Sequence, residues 1–90
     1  MSEKVISKFI YLSELAIKVN TYTEHDVFID FSGHVNSMEI HYIKNGYKDN
    51  KSKRVELFYI HANHESEEYI LKVFEEAEKK LMDLMKKESL

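Results

Sequence analysis

The residues with the widest chemical reach in this chain of 90 are its five histidines. His61 and His64 have the spacing of a pair at a strand end, with Glu65 adjacent. In the strand register derived below, Asp26 faces His41 and His25 is near. Asp26, His41 and one further histidine could then gather around a metal ion. The competing reading needs less: His61 and His64 sit at a strand-to-helix junction, where polar residues are ordinary, and His41 with Asp26 makes a surface pair. The sequence therefore predicts no metal centre.

Other catalytic arrangements are poorly supplied. The chain has no cysteine, which removes a disulfide framework, a thiolate zinc site and a cysteine nucleophile. Ser32, Gly33 and His34 contain a nucleophile and a base, but neighbours in a β-turn do not point at one another as nucleophilic catalysis requires. No glycine-flanked serine elbow is present. The two glycines, Gly33 and Gly46, are too isolated to build a phosphate loop. Carboxylates are available by residue type, yet no feature marks a cleft for them. The expectation is a non-enzymatic protein without cofactor.

Length and composition agree with that expectation. The chain of 10.7 kDa suits one small domain. Its 43% hydrophobic and 32% charged residues are those of a globular protein rather than a disordered tail. A chain this short buries only about 60% of the surface its unfolded form exposes, so a shallow interaction surface suits it better than a deep cleft. No apolar run approaches the roughly 20 residues of a membrane span. The early charges Glu3, Lys4 and Lys8 interrupt any signal-peptide core. A cytoplasmic location is expected, and a net charge of −3 defines no partner class.

The elements that must position these residues follow from periodicity. Val5, Phe9, Leu12, Ala16 and Val19 recur at helical spacing over residues 3–19, with Ile6, Ile10 and Ile17 widening the stripe. Ser2 can cap that helix and Asn20 can stop it. Residues 26–32 alternate as a strand, with Val27, Ile29 and Phe31 on one face and Asp26, Phe28 and Asp30 on the other. A two-residue turn at Gly33-His34 leads into a second strand over 35–43. This sets Ile29 opposite Met38 and Val27 opposite Ile40. A polar loop precedes a third strand over 55–62, in which Val55, Leu57 and Tyr59 compete with Phe58 and Ile60 for the core. A final helix spans 65–87, capped by Ser66 or Asn63. It is acidic at its start, basic at its end, and striped by Ile70, Val73, Phe74, Ala77, Leu81 and Leu84. The predicted fold class is α+β: a two-layer α-β-β-β-α sandwich, a three-stranded antiparallel meander with both helices on one face.

The other sheet face is then open. It carries Asp26, Phe28, Asp30, Ser37, Glu39, His41 and Ile43, an apolar centre of Phe28 and Ile43 inside an acidic rim, as a protein-binding patch has. The competing reading is a solvated sheet face. Leu71, Met82 and Met85 lie off the stripe of the last helix, so self-association through that flank or through the sheet would bury apolar surface. A second reading places nucleic acid on the basic loop of Lys44, Tyr47, Lys48, Lys51, Lys53 and Arg54, whose charge against Asp49 is +4. A solvated loop that guards a strand edge accounts for the same residues.

Two resemblances attach to these residues. The helix-strand-strand-strand-helix order, with its Gly33-His34 turn, resembles the double-stranded-RNA-binding domain. That family places lysines at the start of its last helix, whereas this chain has Glu65, Ser66, Glu67 and Glu68. The family's proline in the first hairpin is missing too. The likeness therefore extends to topology and not to RNA binding. The stretch from Val27 to Asn36, with Asn45-Gly46-Tyr47, is similar to small proteins of temperate phages of low-GC Gram-positive bacteria. A lysine-rich composition with one arginine, Arg54, fits an AT-rich gene. That resemblance implies a phage-encoded, non-enzymatic accessory protein that binds a protein partner; a homodimer is expected from the apolar surfaces named above.

Overall fold

The structure is a computed structural model that describes residues 1–44 and 53–88. Helix α1 spans Glu3–Tyr22, and Ser2 caps it by accepting a hydrogen bond from the Val5 N–H at 3.2 Å. The helix runs past Asn20, because that side chain is used elsewhere. Its Oδ1 accepts from the Val27 N–H at 2.6 Å and its Nδ2 donates to the Val27 carbonyl at 2.9 Å. The helix ends instead at Thr23, whose N–H and hydroxyl both reach the Val19 carbonyl, at 3.0 and 2.7 Å.

Strands β1 (Asp26–Ser32), β2 (Ser37–Ile43) and β3 (Arg54–His61) form one antiparallel sheet in the order β1-β2-β3. The first turn holds four residues, 33–36, rather than two. Asn36 takes the left-handed conformation at φ 50°, a conformation asparagine tolerates better than most residues. The longer turn slides the register by two. Ile29 therefore faces Ile40 rather than Met38, Val27 faces Tyr42 rather than Ile40, and His41 faces Phe28 rather than Asp26. Because the slip is even, each side chain keeps its predicted face.

The facing of β3 is decided by an irregularity between Ile40 and His41. Ile40 pairs with Phe58 and His41 with Glu56, so Leu57 is the extra residue of a bulge. Phe58 and Ile60 enter the core, Leu57 packs half-buried against it, and Val55 and Tyr59 are exposed.

A short 3₁₀ turn, Ala62–His64, precedes helix α2 (Glu67–Glu88). Ser66 caps α2: its hydroxyl accepts from the Tyr69 N–H at 3.2 Å and its carbonyl from the Ile70 N–H at 3.1 Å. Both helices cover the same sheet face. Leu12 and Ala16 of α1 and Phe74 and Leu81 of α2 close over Met38 and Ile40 of β2, all buried. The Phe74 ring lies 5.0 Å from that of Phe58 and 6.0 Å from that of Phe9, joining the helices to the sheet. Glu78 of α2 ties the helices at their rim, paired with Lys8 and accepting from the Tyr11 hydroxyl at 3.1 Å.

Two parts of the predicted stripes are not core. Ile10 and Ile17 of α1 are 63% and 58% exposed, and Phe31 at the end of β1 is 49% exposed. On α2 the reverse holds: Leu71 and Met85 pack half-buried against the core, which leaves Met82 exposed on that flank.

The Asn20 bridge supplies the Val27 backbone on the outer edge of β1 with both partners. Asn20→Ala removes them and is expected to cost about 1–3 kcal/mol of stability, the range for orphaned polar groups. Thr21→Ala on the exposed turn is expected to stay within about 0.5 kcal/mol. Urea denaturation of the two variants beside wild type checks the difference.

Candidate functional site

The face of the sheet away from the helices is a grid of four rows. In strand order they are Asp26-Ile43-Arg54, Phe28-His41-Glu56, Asp30-Glu39-Tyr59 and Ser32-Ser37-His61. An antiparallel sheet with helices on one side can leave its second face to solvent.

The second row carries the aromatic centre. Phe28 and His41 are direct cross-strand partners, and their rings stack at 4.8 Å with only 11° between planes. Phe28 is 41% exposed, while the His41 side chain is mostly covered. Its Nδ1 lies 3.6 Å from a Glu39 carboxylate oxygen and makes no hydrogen bond. Burial pushes the His41 imidazole below the ordinary histidine value, and the nearby Glu56 carboxylate opposes that shift. Neutral His41 is therefore the form that fits this face, as a stacked ring rather than a cation.

The third row sets Asp30 directly against Glu39, a like-charge pair that disfavours the strand pairing. Arg54 at the start of β3 compensates, its guanidinium pairing with Glu39. Tyr59 stands on the other side of Glu39, 51% exposed, with its ring 5.1 Å from that of His61. The face thus presents Phe28 and Tyr59 among Asp26, Asp30, Glu39 and Glu56, with Arg54 as the counter-charge.

The structure places the six predicted patch residues on this one face. Asp26, Phe28, Asp30, Glu39 and His41 share the face in adjoining rows. Ile43 shares the face as well, but not as an exposed apolar centre: it is 7% exposed, set between Asp26 and Arg54 in its row. The apolar area lost there is supplied by Tyr59. Sequence reasoning missed Tyr59, Glu56 and His61 as members of the face. Their positions depend on the Leu57 bulge, although the alternation of Phe58 and Ile60 with Tyr59 and His61 was a usable signal.

The Asp26–His41 pairing fails by the two-residue register slip, since Asp26 faces Ile43. Among the described residues no three His, Cys, Asp or Glu side chains gather closely enough for a metal ion. His61 and His64 do approach, with ring centroids 5.9 Å apart and edge to face. Of the basic loop, Lys44, Lys53 and Arg54 are exposed, and Arg54 is engaged by Glu39. Tyr47, Lys48 and Lys51 lie outside the described residues. No described helix is long and apolar enough to cross a membrane. Comparison of the chain with protein-family models, curated proteins and solved structures gives no match.

The His41 environment has a pH consequence. Its folded-state pKa lies below the unfolded one, so the unfolded chain binds the proton first as pH falls. The stability contributed by neutral His41 is whole above the ordinary histidine range and declines as pH drops from there toward the folded-state value. His41→Phe keeps a stacking ring and removes the titration. Between about pH 7 and pH 5, wild type is expected to lose stability relative to this variant. Urea midpoints across that range test it, and a His41 pKa measured by NMR at or above the ordinary value contradicts it.

Proposed function

We propose that this protein is a non-enzymatic binding module that engages a protein partner through the open face of its sheet. One observation carries the reading: Phe28 on the edge strand β1, stacked on His41 and flanked along its strand by Asp26 and Asp30, is left uncovered on the same face as Tyr59. Aromatic side chains that are pre-positioned and half-exposed are the residues on which binding energy concentrates. Holding the Phe28 ring against His41 lowers the entropy lost when a partner covers it.

The surroundings favour one partner chemistry. Asp26, Asp30, Glu39 and Glu56 offset by Arg54 make a net acidic surface, which favours a segment with aliphatic or aromatic side chains flanked by lysine or arginine. The same charge repels a phosphate backbone, so this face does not suit nucleic acid. The shallow geometry supports recognition rather than the enclosure of a small substrate.

The test compares variants in the cells that express the protein. Tagged full-length wild type is expected to retain a partner that Phe28→Glu loses and Tyr59→Ala holds about 10-fold or more weakly, in the range of interface anchor residues. Lys79→Glu, on the exposed side of α2, is expected to retain it, and added salt is expected to weaken binding through the acidic rim. Equal recovery of the same partner by wild type and Phe28→Glu would place binding elsewhere on the molecule.

A further inference from the structure

A second apolar surface lies away from the open face, on the flank of α1 beside β1. Ile6, Phe9, Ile10, Ser13 and Phe31 line one shallow apolar groove. Ile17 continues the same flank one helical turn beyond Ser13. Ile10, Ile17 and Phe31 are 63%, 58% and 49% exposed. The flank residues Ile6, Ile10, Ser13 and Ile17 include no charge. The polar member, Ser13, has its hydroxyl donated to the Phe9 carbonyl at 2.9 Å, so it can be covered without stranding a donor.

We infer that two copies of this chain pair through the α1 flank, antiparallel, with Ile6 of each against Ile17 of the other and Ile10 against Ser13. The spacing Ile6-Ile10-Ser13-Ile17 is four, three and four residues, the same in both directions. A two-fold interface requires such self-complementarity, because each patch meets its own reverse. Reversal sets the large Ile10 over the small Ser13 twice, which lets the helices approach. The exposed parts of Ile10, Ile17 and Phe31, with what Ile6 and Phe9 leave open, amount to on the order of 400 Å² of apolar surface. A standard interface takes about 800 Å² from each partner and is about 65% apolar in homodimers, so this flank supplies most of the apolar core needed.

The neighbouring edge of β1 shows why the helices rather than the strands make the contact. Asn20 already occupies the outward backbone groups of Val27. Ile29 and Phe31 share the parity of Val27, so their backbone groups also point outward. A two-fold pairing of β1 with its copy at that short remaining edge would set Asp30 against Asp30. The strand edge is thus guarded, while the helix flank above it is not. The pairing leaves the Phe28 face clear and stands apart from the function assigned to it.

Sedimentation equilibrium of the full chain tests the inference. Wild type is expected at about twice the 10.7 kDa protomer mass. Ile10→Glu and Ile17→Glu are expected to weaken association at least 100-fold and give the protomer mass. Both sites are exposed, so circular dichroism is expected to show unchanged helix content. Phe28→Glu is expected to leave the dimer mass intact. The chain has no cysteine of its own, and Ile6 and Ile17 stand about 16 Å apart along one helix. In Ile6→Cys/Ile17→Cys, mild oxidation is expected to give a covalent dimer. Protomer mass for wild type at about 500 μM, a dimer that survives Ile10→Glu, loss of the dimer in Phe28→Glu, or no cross-link in the double cysteine variant would each overturn it.

Discussion

Coverage from one side governs this molecule. Two amphipathic helices bring apolar stripes to a three-stranded sheet, and the α1 and α2 core residues all close over the same face of β2. Met38 and Ile40 are wholly buried there, while their strand neighbours Glu39 and His41 point to the uncovered side. A small domain has few ways to bury enough apolar area. Placing both helices on one face concentrates that burial in a single core, with Phe74 touching both Phe9 and Phe58. The consequence is a second sheet face that the protomer does not cover.

That uncovered face is organised by short-range pairing rather than by burial in a core. Phe28 rests on His41, and burial of the imidazole disfavours its charged form. Asp30 and Glu39 face one another across the strands, and Arg54 reaches back from the start of β3 to offset them. A sheet selected only for solubility has no need to hold a phenyl ring in place between carboxylates. Under the proposed binding role, the aromatic groups are oriented before a partner arrives.

Two surfaces of different character result. One is flat, acidic and aromatic, suited to a partner with complementary charge. The other, on α1, is apolar, narrow and self-complementary, suited to a copy of the same chain. They lie on different layers of the sandwich, the sheet and a helix flank, so a dimer formed through α1 presents two copies of the acidic face. Duplicated faces raise the effective affinity for any partner with repeated sites.

Sequence alone determined the element types, their order and the face of each residue in the first two strands. Periods of 3.6 and 2 encode faces locally, and an even register slip does not disturb them. Ser2 was legible as a cap for the same reason, and Ser66 as one of two candidates with Asn63: a cap depends on its own first turn. Tertiary structure decided whatever depended on how elements meet. The four-residue turn with Asn36 left-handed, rather than a two-residue turn at Gly33-His34, chose Phe28 over Asp26 as the partner of His41. The Leu57 bulge put Tyr59 on the open face beside Glu39. Packing buried Val5, Leu12, Ala16 and Val19 of α1 and left Ile10 and Ile17, on the flank of that stripe, exposed. An amphipathic pattern records which side of a helix is apolar; how much of that side a neighbour covers is settled only when the layers pack.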